Sequence, residues 1–208
     1  MKVAVCVPCR DQVCAGFSFD LANMVGFHAA AGMNIGLYHS PGTLIADQRV
    51  NLAKEAISQG ATDILWIDSD MRFPKNALQR LLERNKSIVA ANYPTRRLPV
   101  DTTALLHTPD GWLHVPTKKD STGLEVVTAA GMGLMLTSAQ VFKDLPDPWF
   151  HIGYSTRNNI FLGEDVSMCV AAAKVGHPTH IDHDISKEVR HIGSFEFVLE
   201  HAEIGNGD

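Results

Sequence analysis

The sequence predicts one mixed α/β domain: a mostly parallel sheet flanked by helices, with a β-hairpin and a late helix added to it. Three observations carry this reading. Strand and helix signals alternate from Lys2 to Ala91, an Asp-Gly turn separates two short stretches in the middle, and acids followed by apolar residues mark a helix near the end.

Lys2 to Val7 is a short β-branched run stopped by Pro8, the pattern of a buried first strand. Asp20 to Ala31 reads as a helix ended by Gly32, and Asn34 to Tyr38 as a second strand before the turn cluster His39-Ser40-Pro41-Gly42. From Leu44 to Gln59 the apolar residues fall largely on one helical face, and Gly60 closes the run. Asp63 to Ile67 is the third strand. Pro74 suits the first turn of a helix carrying Leu78, Leu81 and Leu82, and Ser87 to Ala91 is the fourth strand. This order implies parallel strands joined by right-handed crossovers.

Asn92 to Thr103 has no clean period and reads as a loop. Ala104 to Val115 reads as a hairpin, with Asp110-Gly111 supplying the positive φ angles of a tight turn. Leu124 to Val127 and Gly133 to Thr137 are further strands. Glu164 to Val175 is a helix with acids in its first turn and Gly176 and Pro178 past its end. Residues 201–208 read as a frayed tail, and a single domain covers 1–208.

Composition narrows the function. Lys and Arg number 18 against 23 Asp and Glu, a net charge of −5, so no basic excess points to nucleic acid or an acidic membrane. Four Cys do not make a disulfide scaffold, and no run is long and apolar enough to span a membrane, so a cytoplasmic location is expected. Cys6 and Cys9 have C-x-x-C spacing but lie in and just after a strand, not at a helix start, and read as incidental thiols.

The strongest chemical signal is Ile64-Leu65-Trp66-Ile67-Asp68-Ser69-Asp70. Two carboxylates at i and i+2, just past a buried strand, sit at the sheet end where ligands bind in parallel α/β folds. Such a pair suits a hard divalent cation that completes its shell with phosphate and water. The spacing alone is weak, because Asp-x-Asp recurs at Asp182-His183-Asp184; the apolar strand before Asp68 and Pro74 after it raise the first. Gly163-Glu164-Asp165 opens the late helix, where acids either complement the helix dipole or supply a general base. His177, His180 and His183 have metal-like spacing without a nearby Cys to complete a zinc site. His191 is a candidate single imidazole ligand.

Taken in order, these residues resemble the nucleotide-sugar glycosyltransferases of the GT-A fold, close to family 2-like bacterial and phage enzymes. Val3 to Pro8 looks like the opening strand, Asp68-Ser69-Asp70 with Met71 to Pro74 like the D-x-D segment, and Asn92-Tyr93-Pro94 with Arg96 and Arg97 like the loop after the fourth strand. Ala130 to Leu136 resembles the glycine-bearing segment near the donor sugar. Asp147-Pro148-Trp149-Phe150, Gly163-Glu164-Asp165 and His191-Ile192-Gly193 resemble the acceptor stretch, the acidic motif and the late histidine.

The resemblance implies a Rossmann-like GT-A sheet with residues 1–93 as nucleotide-binding half and 94–200 as acceptor-side half, the late helix included. It implies transfer from a nucleoside-diphosphate sugar to a hydroxyl acceptor with Mn²⁺ or Mg²⁺. Asp70 and His191 would be direct ligands, and Asp68 would act through water or on the ribose. Asp165 would be the base and Glu164 its positioning partner. Pro8, Arg10, Arg49, Asn51, Ser69, Gly131 and Gly133 would border the donor. The sequence departs from the family at Cys9-Arg10, where a small hydroxyl residue and Asn are common, and at Val50, which separates Arg49 from Asn51. The acceptor could be a glycan, a small molecule or modified DNA, the last unsupported by the acidic charge balance. Arg96, Arg97, Lys118 and Lys119 read as a solvated loop ahead of a site for an anionic acceptor. Two other classes compete. A sugar nucleotidyltransferase would carry a Gly-rich basic loop after the first strand, where Pro8 to Phe19 offers only Gly16 and Arg10. A non-catalytic binding module would keep the fold alone.

Overall fold

The computed structural model describes residues 1–156 and 159–193. The tail at 201–208 and the end of the acceptor-side half lie outside the described residues. In chain order the elements are β1 (Lys2–Pro8), α1 (Ala15–Ala30), β2 (Asn34–Ser40), α2 (Ile45–Ser58), β3 (Asp63–Ile67), β4 (Met71–Arg72), α3 (Ala77–Glu83) and β5 (Ile88–Ala90). Then follow the hairpin β6 (Leu105–Thr108) and β7 (Gly111–His114), β8 (Leu124–Val127), β9 (Leu134–Ser138) and α4 (Ala139–Asp144). The chain continues with β10 (Gly153–Ser155), β11 (Ile160–Leu162), α5 (Glu164–Lys174), β12 (Thr179–Asp182), α6 (His183–Ser186) and β13 (Arg190–His191).

A seven-stranded sheet in the order β2-β1-β3-β9-β5-β12-β8 forms the centre. β1 pairs in parallel with β2 and β3, and β5 with β12, while β9 runs antiparallel between β3 and β5 and β8 antiparallel to β12. The sheet is therefore mixed and mostly parallel. The third and fourth strands of the chain's alternating half, β3 and β5, are not neighbours: β9 lies between them. Its Leu-Met-Leu-Thr run is buried on both faces, which suits a central strand.

Each central strand feeds two cores, because successive side chains point to opposite faces. Ala4, Cys6, Ile64 and Trp66 pack on one face with Leu52, Phe142 and Met168, beneath α2, α4 and α5. Val3, Val5, Leu65 and Ile67 pack on the other with Phe17, Met24, Leu78 and Ile185, beneath α1, α3 and α6. Trp66 is wholly buried and its indole N–H donates to Thr137 Oγ1 at 3.0 Å. Removing such a ring from water contributes on the order of 4–6 kcal/mol.

Helix α1 starts at Ala15, earlier than the expected Asp20. Asp20 is instead a mid-helix residue whose carboxylate takes Arg72 Nε at 2.5 Å and the Phe73 N–H at 3.2 Å, tying α1 to β4. Ala15-Gly16 offers no capping side chain, so nothing local marks that start.

Candidate active site

The carboxyl ends of β1, β3 and β5 and the amino end of β9 meet on one edge of the sheet, and the acidic residues gather there. Asp68-Ser69-Asp70 follows β3 directly. The Asp68 N–H bonds to Gly133 O at 3.1 Å, and the Met71 N–H returns to Asp68 O at 3.2 Å, so the segment turns back on itself beside the start of β9. Ser69 contributes its carbonyl to the Cys14 N–H at the head of α1, at 3.1 Å.

His191 arrives from far along the chain. β13 pairs antiparallel with β4, setting His191 opposite Met71, and the Ile192 N–H bonds to Asp70 O at 2.8 Å. The His191 Nε2 thereby stands 3.6 Å from Asp70 Oδ1. Its Nδ1 lies 3.0 Å from the Pro94 carbonyl, which can only accept, so Nδ1 carries a proton. Tyr93 meets the imidazole edge-on, with centroids 5.3 Å apart. The second Asp70 oxygen pairs with Arg96 at 2.7 Å. Burial alone would push the Asp70 carboxyl up; the His191 hydrogen bond and the Arg96 charge together outweigh it and hold the group below the usual range. The Asp70 contact in turn raises His191, against the opposing effect of burial.

Beside this pair lies a buried cation. Arg49, on α2 and only 2% exposed, reaches Asp68 Oδ1 at 3.0 Å and Glu164 Oε1 in a short ion pair. Its Nε is buried with no partner among the described residues. Glu164 and Asp165 begin α5. Desolvation raises both carboxyls above their ordinary values, and Arg49 opposes that shift without cancelling it. Asp165 Oδ1 accepts the Val166 N–H at 2.7 Å. A Cβ on Gly163 would sit 2.5 Å from the same oxygen, so only glycine lets this carboxylate fold back over the helix start. Four carboxylates thus face two guanidinium groups and one imidazole, a balance that favours a further cation. Among the described residues, no three His, Cys, Asp or Glu side chains form a ready metal cage.

The structure separates the other sequence candidates. Pro8 is buried at the end of β1. Arg10 is exposed, with Asp11 4.0 Å away. Asn51 does not join Arg49: it lies on the outer face of α2 and bonds to Asp47 at 3.2 Å, because two residues along a helix rotate a side chain by about 200°. Gly131 and Gly133 are buried against Tyr93, where added Cβ atoms would meet the phenol oxygen at 2.5 Å and Cζ at 2.6 Å. The Tyr93 oxygen accepts the Gly133 N–H at 2.9 Å, and burial pushes its pKa well up.

The second Asp-x-Asp is spent on structure. Asp182 is wholly buried, receives Arg84 at 2.7 and 3.0 Å and caps α6, and Asp184 receives Arg84 at 2.9 Å. The spaced histidines also diverge: His177 binds Asp144, His180 faces the Ile88 and Pro178 carbonyls, and His183 bridges Thr117 and Glu125. All four cysteines are free; burial raises the thiol of Cys6, and that of Cys169 is raised to about 11.

Sequence reasoning misses two positions. Gln48 is buried on α2, and its amide reaches Ser40 O at 2.7 Å and Cys9 O at 3.1 Å, pinning the ends of β1 and β2. Arg96 reads as part of the loop after the fourth strand, solvated ahead of a site for an anionic acceptor, and its contact with Asp70 is too distant in sequence for any local pattern to show.

No protein-family model and no curated protein matches the sequence. Solved structures do match in shape. A197 from STIV superposes with a TM-score of 0.55 at 10% identity, over 96% of this chain and 98% of that one. TarS 1-349 from S. aureus gives 0.52 at 13% identity, over 92% of this chain and 60% of that one. The chain has the GT-A glycosyltransferase fold. A glycosyltransferase involved in the glycosylation of the major capsid of PBCV-1 gives 0.49 at 12% identity, over 98% of this chain and all of that one. In this GT-A sheet the acidic residues occupy the carboxyl edge that parallel α/β folds use for ligands. Among the described residues no helix is long and apolar enough to cross a membrane.

Proposed function

We propose that the chain transfers a sugar from a nucleoside-diphosphate donor to a hydroxyl acceptor, with Mn²⁺ or Mg²⁺ as cofactor. The carrying observation is the facing of Asp70 Oδ1 and His191 Nε2 across 3.6 Å, with Nδ1 turned to Pro94. A neutral imidazole in this tautomer aims its lone pair at a carboxylate, so a proton or a metal ion belongs between the two. A histidine ligand commonly fixes its other nitrogen on a carbonyl in this way. The donor set fits Mn²⁺ or Mg²⁺, which take one or two protein ligands and fill the remaining positions with phosphate and water.

Bound there, the ion would neutralise charge developing on the departing diphosphate. Asp70 and His191 hold it. Asp68 orders a water or the donor ribose while Arg49 fixes its direction. Arg49 also keeps Glu164 in place; Asp165 has no ion pair among the described residues, and burial raises its pKa against the opposing charge of Arg49. Asp165 accepts the acceptor hydroxyl's proton as that oxygen attacks the sugar's anomeric carbon and the carbon–oxygen bond to the diphosphate breaks. Glu164 positions it.

A panel of nucleotide sugars incubated with Mn²⁺ tests this reading. The expected result is release of nucleoside diphosphate from one donor, abolished by chelator and by Asp70→Asn. Release of nucleoside monophosphate with a sugar phosphate would make the chain a pyrophosphate-cleaving enzyme instead. Donor binding without any release would make it a binding module.

A further inference from the structure

The Asp70 carboxylate is already half engaged. Arg96 holds one oxygen at 2.7 Å, and the guanidinium has one other polar contact among the described residues, a long bond to Ile192 O at 3.4 Å. Its side chain is 51% exposed. Next to it opens a cavity of about 670 Å³ lined by Tyr93, Thr95, Arg96, Arg97, Thr103 and His191. Arg97 has no ion-pair partner among the described residues, and Thr103 Oγ1 is buried there without a hydrogen bond. Two guanidinium groups border a space beside Asp70, a donor set suited to phosphate oxygens.

We propose that Arg96 is a gatekeeper of the Asp70 site: it occupies the carboxylate while the site is empty and passes to the donor's diphosphate when cation and donor arrive together. This rests on the cation reading above. A guanidinium and a divalent ion compete for one carboxylate, so an ion arriving alone must displace Arg96 or sit against its charge. A diphosphate gives the guanidinium a stronger, bidentate partner and removes that competition. Cation and diphosphate then strengthen each other's binding, and Arg96 carries the coupling. The device keeps the Asp70 carboxylate paired between turnovers and ties cation capture to the presence of donor.

The test compares wild type, Arg96→Gln, Arg96→Lys and Asp70→Asn. Mn²⁺ binding without nucleotide is followed by the electron paramagnetic resonance of the free ion, and inorganic pyrophosphate binding by calorimetry at saturating Mg²⁺. Arg96→Gln is expected to bind Mn²⁺ about tenfold more tightly than wild type and pyrophosphate about tenfold more weakly, within the usual range of coupling between sites. Arg96→Lys, which keeps the charge, restores part of the pyrophosphate affinity. Asp70→Asn loses Mn²⁺. If Arg96→Gln leaves Mn²⁺ affinity unchanged, or binds pyrophosphate as wild type does, the gatekeeper is overturned while the cation reading stands. If Mn²⁺ binds Asp70→Asn as it binds wild type, or binds no variant at all, both fall.

Discussion

Arg49 joins Asp68 and Glu164, the end of β3 and the start of α5, through one guanidinium that is almost completely buried. The contact couples the two acidic motifs and sets the spacing between them. A charge at that depth is tolerated because carboxylates lie on both sides, and taking it away leaves Asp68 and Glu164 facing each other without it.

Replacing Arg49 with Met should therefore cost about 3–5 kcal/mol of folding stability, the usual penalty for removing one member of a buried ion pair. Urea unfolding measures it. A loss below about 1 kcal/mol, the range of exposed pairs, would show that the triad is solvated rather than buried.

Gly133→Ala places a methyl 2.6 Å from the Tyr93 ring. Overpacking of this kind costs about 1–3 kcal/mol. Paired with Tyr93→Leu, the glycine change should cost less than it does alone, because both act on one contact. Additive costs in a double-mutant cycle would show that Tyr93 is not what demands the glycine.

Asp165→Asn should lower kcat at least a hundredfold, a typical contribution of a general base, without lowering thermal stability at neutral pH. The sign follows from burial. A carboxyl whose pKa is raised in the fold favours folding at low pH, and that contribution is lost as pH rises through the folded value. At neutral pH the buried carboxylate is a net cost that Asn removes. By the same shift, the acid limb of kcat in the wild type should lie above the ordinary aspartate range of about 3.9. A fall in melting temperature matching the fall in rate would mark Asp165 as structural.

Asp184 titrates in the opposite sense. The Gly123 N–H, helped by Arg84, holds its carboxyl low against the opposing effect of burial. Its contribution is present above the unfolded value and is lost as pH falls through the folded one. Asp184→Asn should flatten the loss of stability with falling pH below about pH 4, in denaturation curves taken from pH 2 to 6. An unchanged slope would remove the Asp184 ion pair from the acid response.

Most strands are legible in the sequence because buried β-structure writes itself as short apolar runs bounded by turn residues. Their order is not, since inserting β9 between β3 and β5 is a matter of tertiary pairing. β12 escapes notice because a four-residue strand with a histidine inside shows no period, although it is paired on both sides, between β5 and β8. The site is legible where local context carries it: an apolar strand running into Asp68 and Asp70, and a glycine before Glu164 and Asp165. The two Asp-x-Asp segments share their spacing, and both meet arginine in the structure: Arg84 takes both carboxylates of the second, whereas those of the first are divided between Arg49 and Arg96, with His191 facing Asp70. Asn51 could have been set aside from sequence alone, because helical spacing turns it away from Arg49. His191 comes forward as a partner of Asp70 only through the family resemblance, with the β4–β13 pairing bringing it there, and the Arg96 contact, made from the turn after β5, has no sign in the sequence.

The central claim is that Asp70 and the His191 imidazole share one divalent ion. Electron spin-echo envelope modulation of Mn²⁺ added to the protein with a nucleoside diphosphate reads a coordinated nitrogen directly. The account requires the modulation of one imidazole nitrogen, absent in His191→Ala and retained in His180→Ala. Modulation missing from the wild type, or unchanged in His191→Ala, would contradict it.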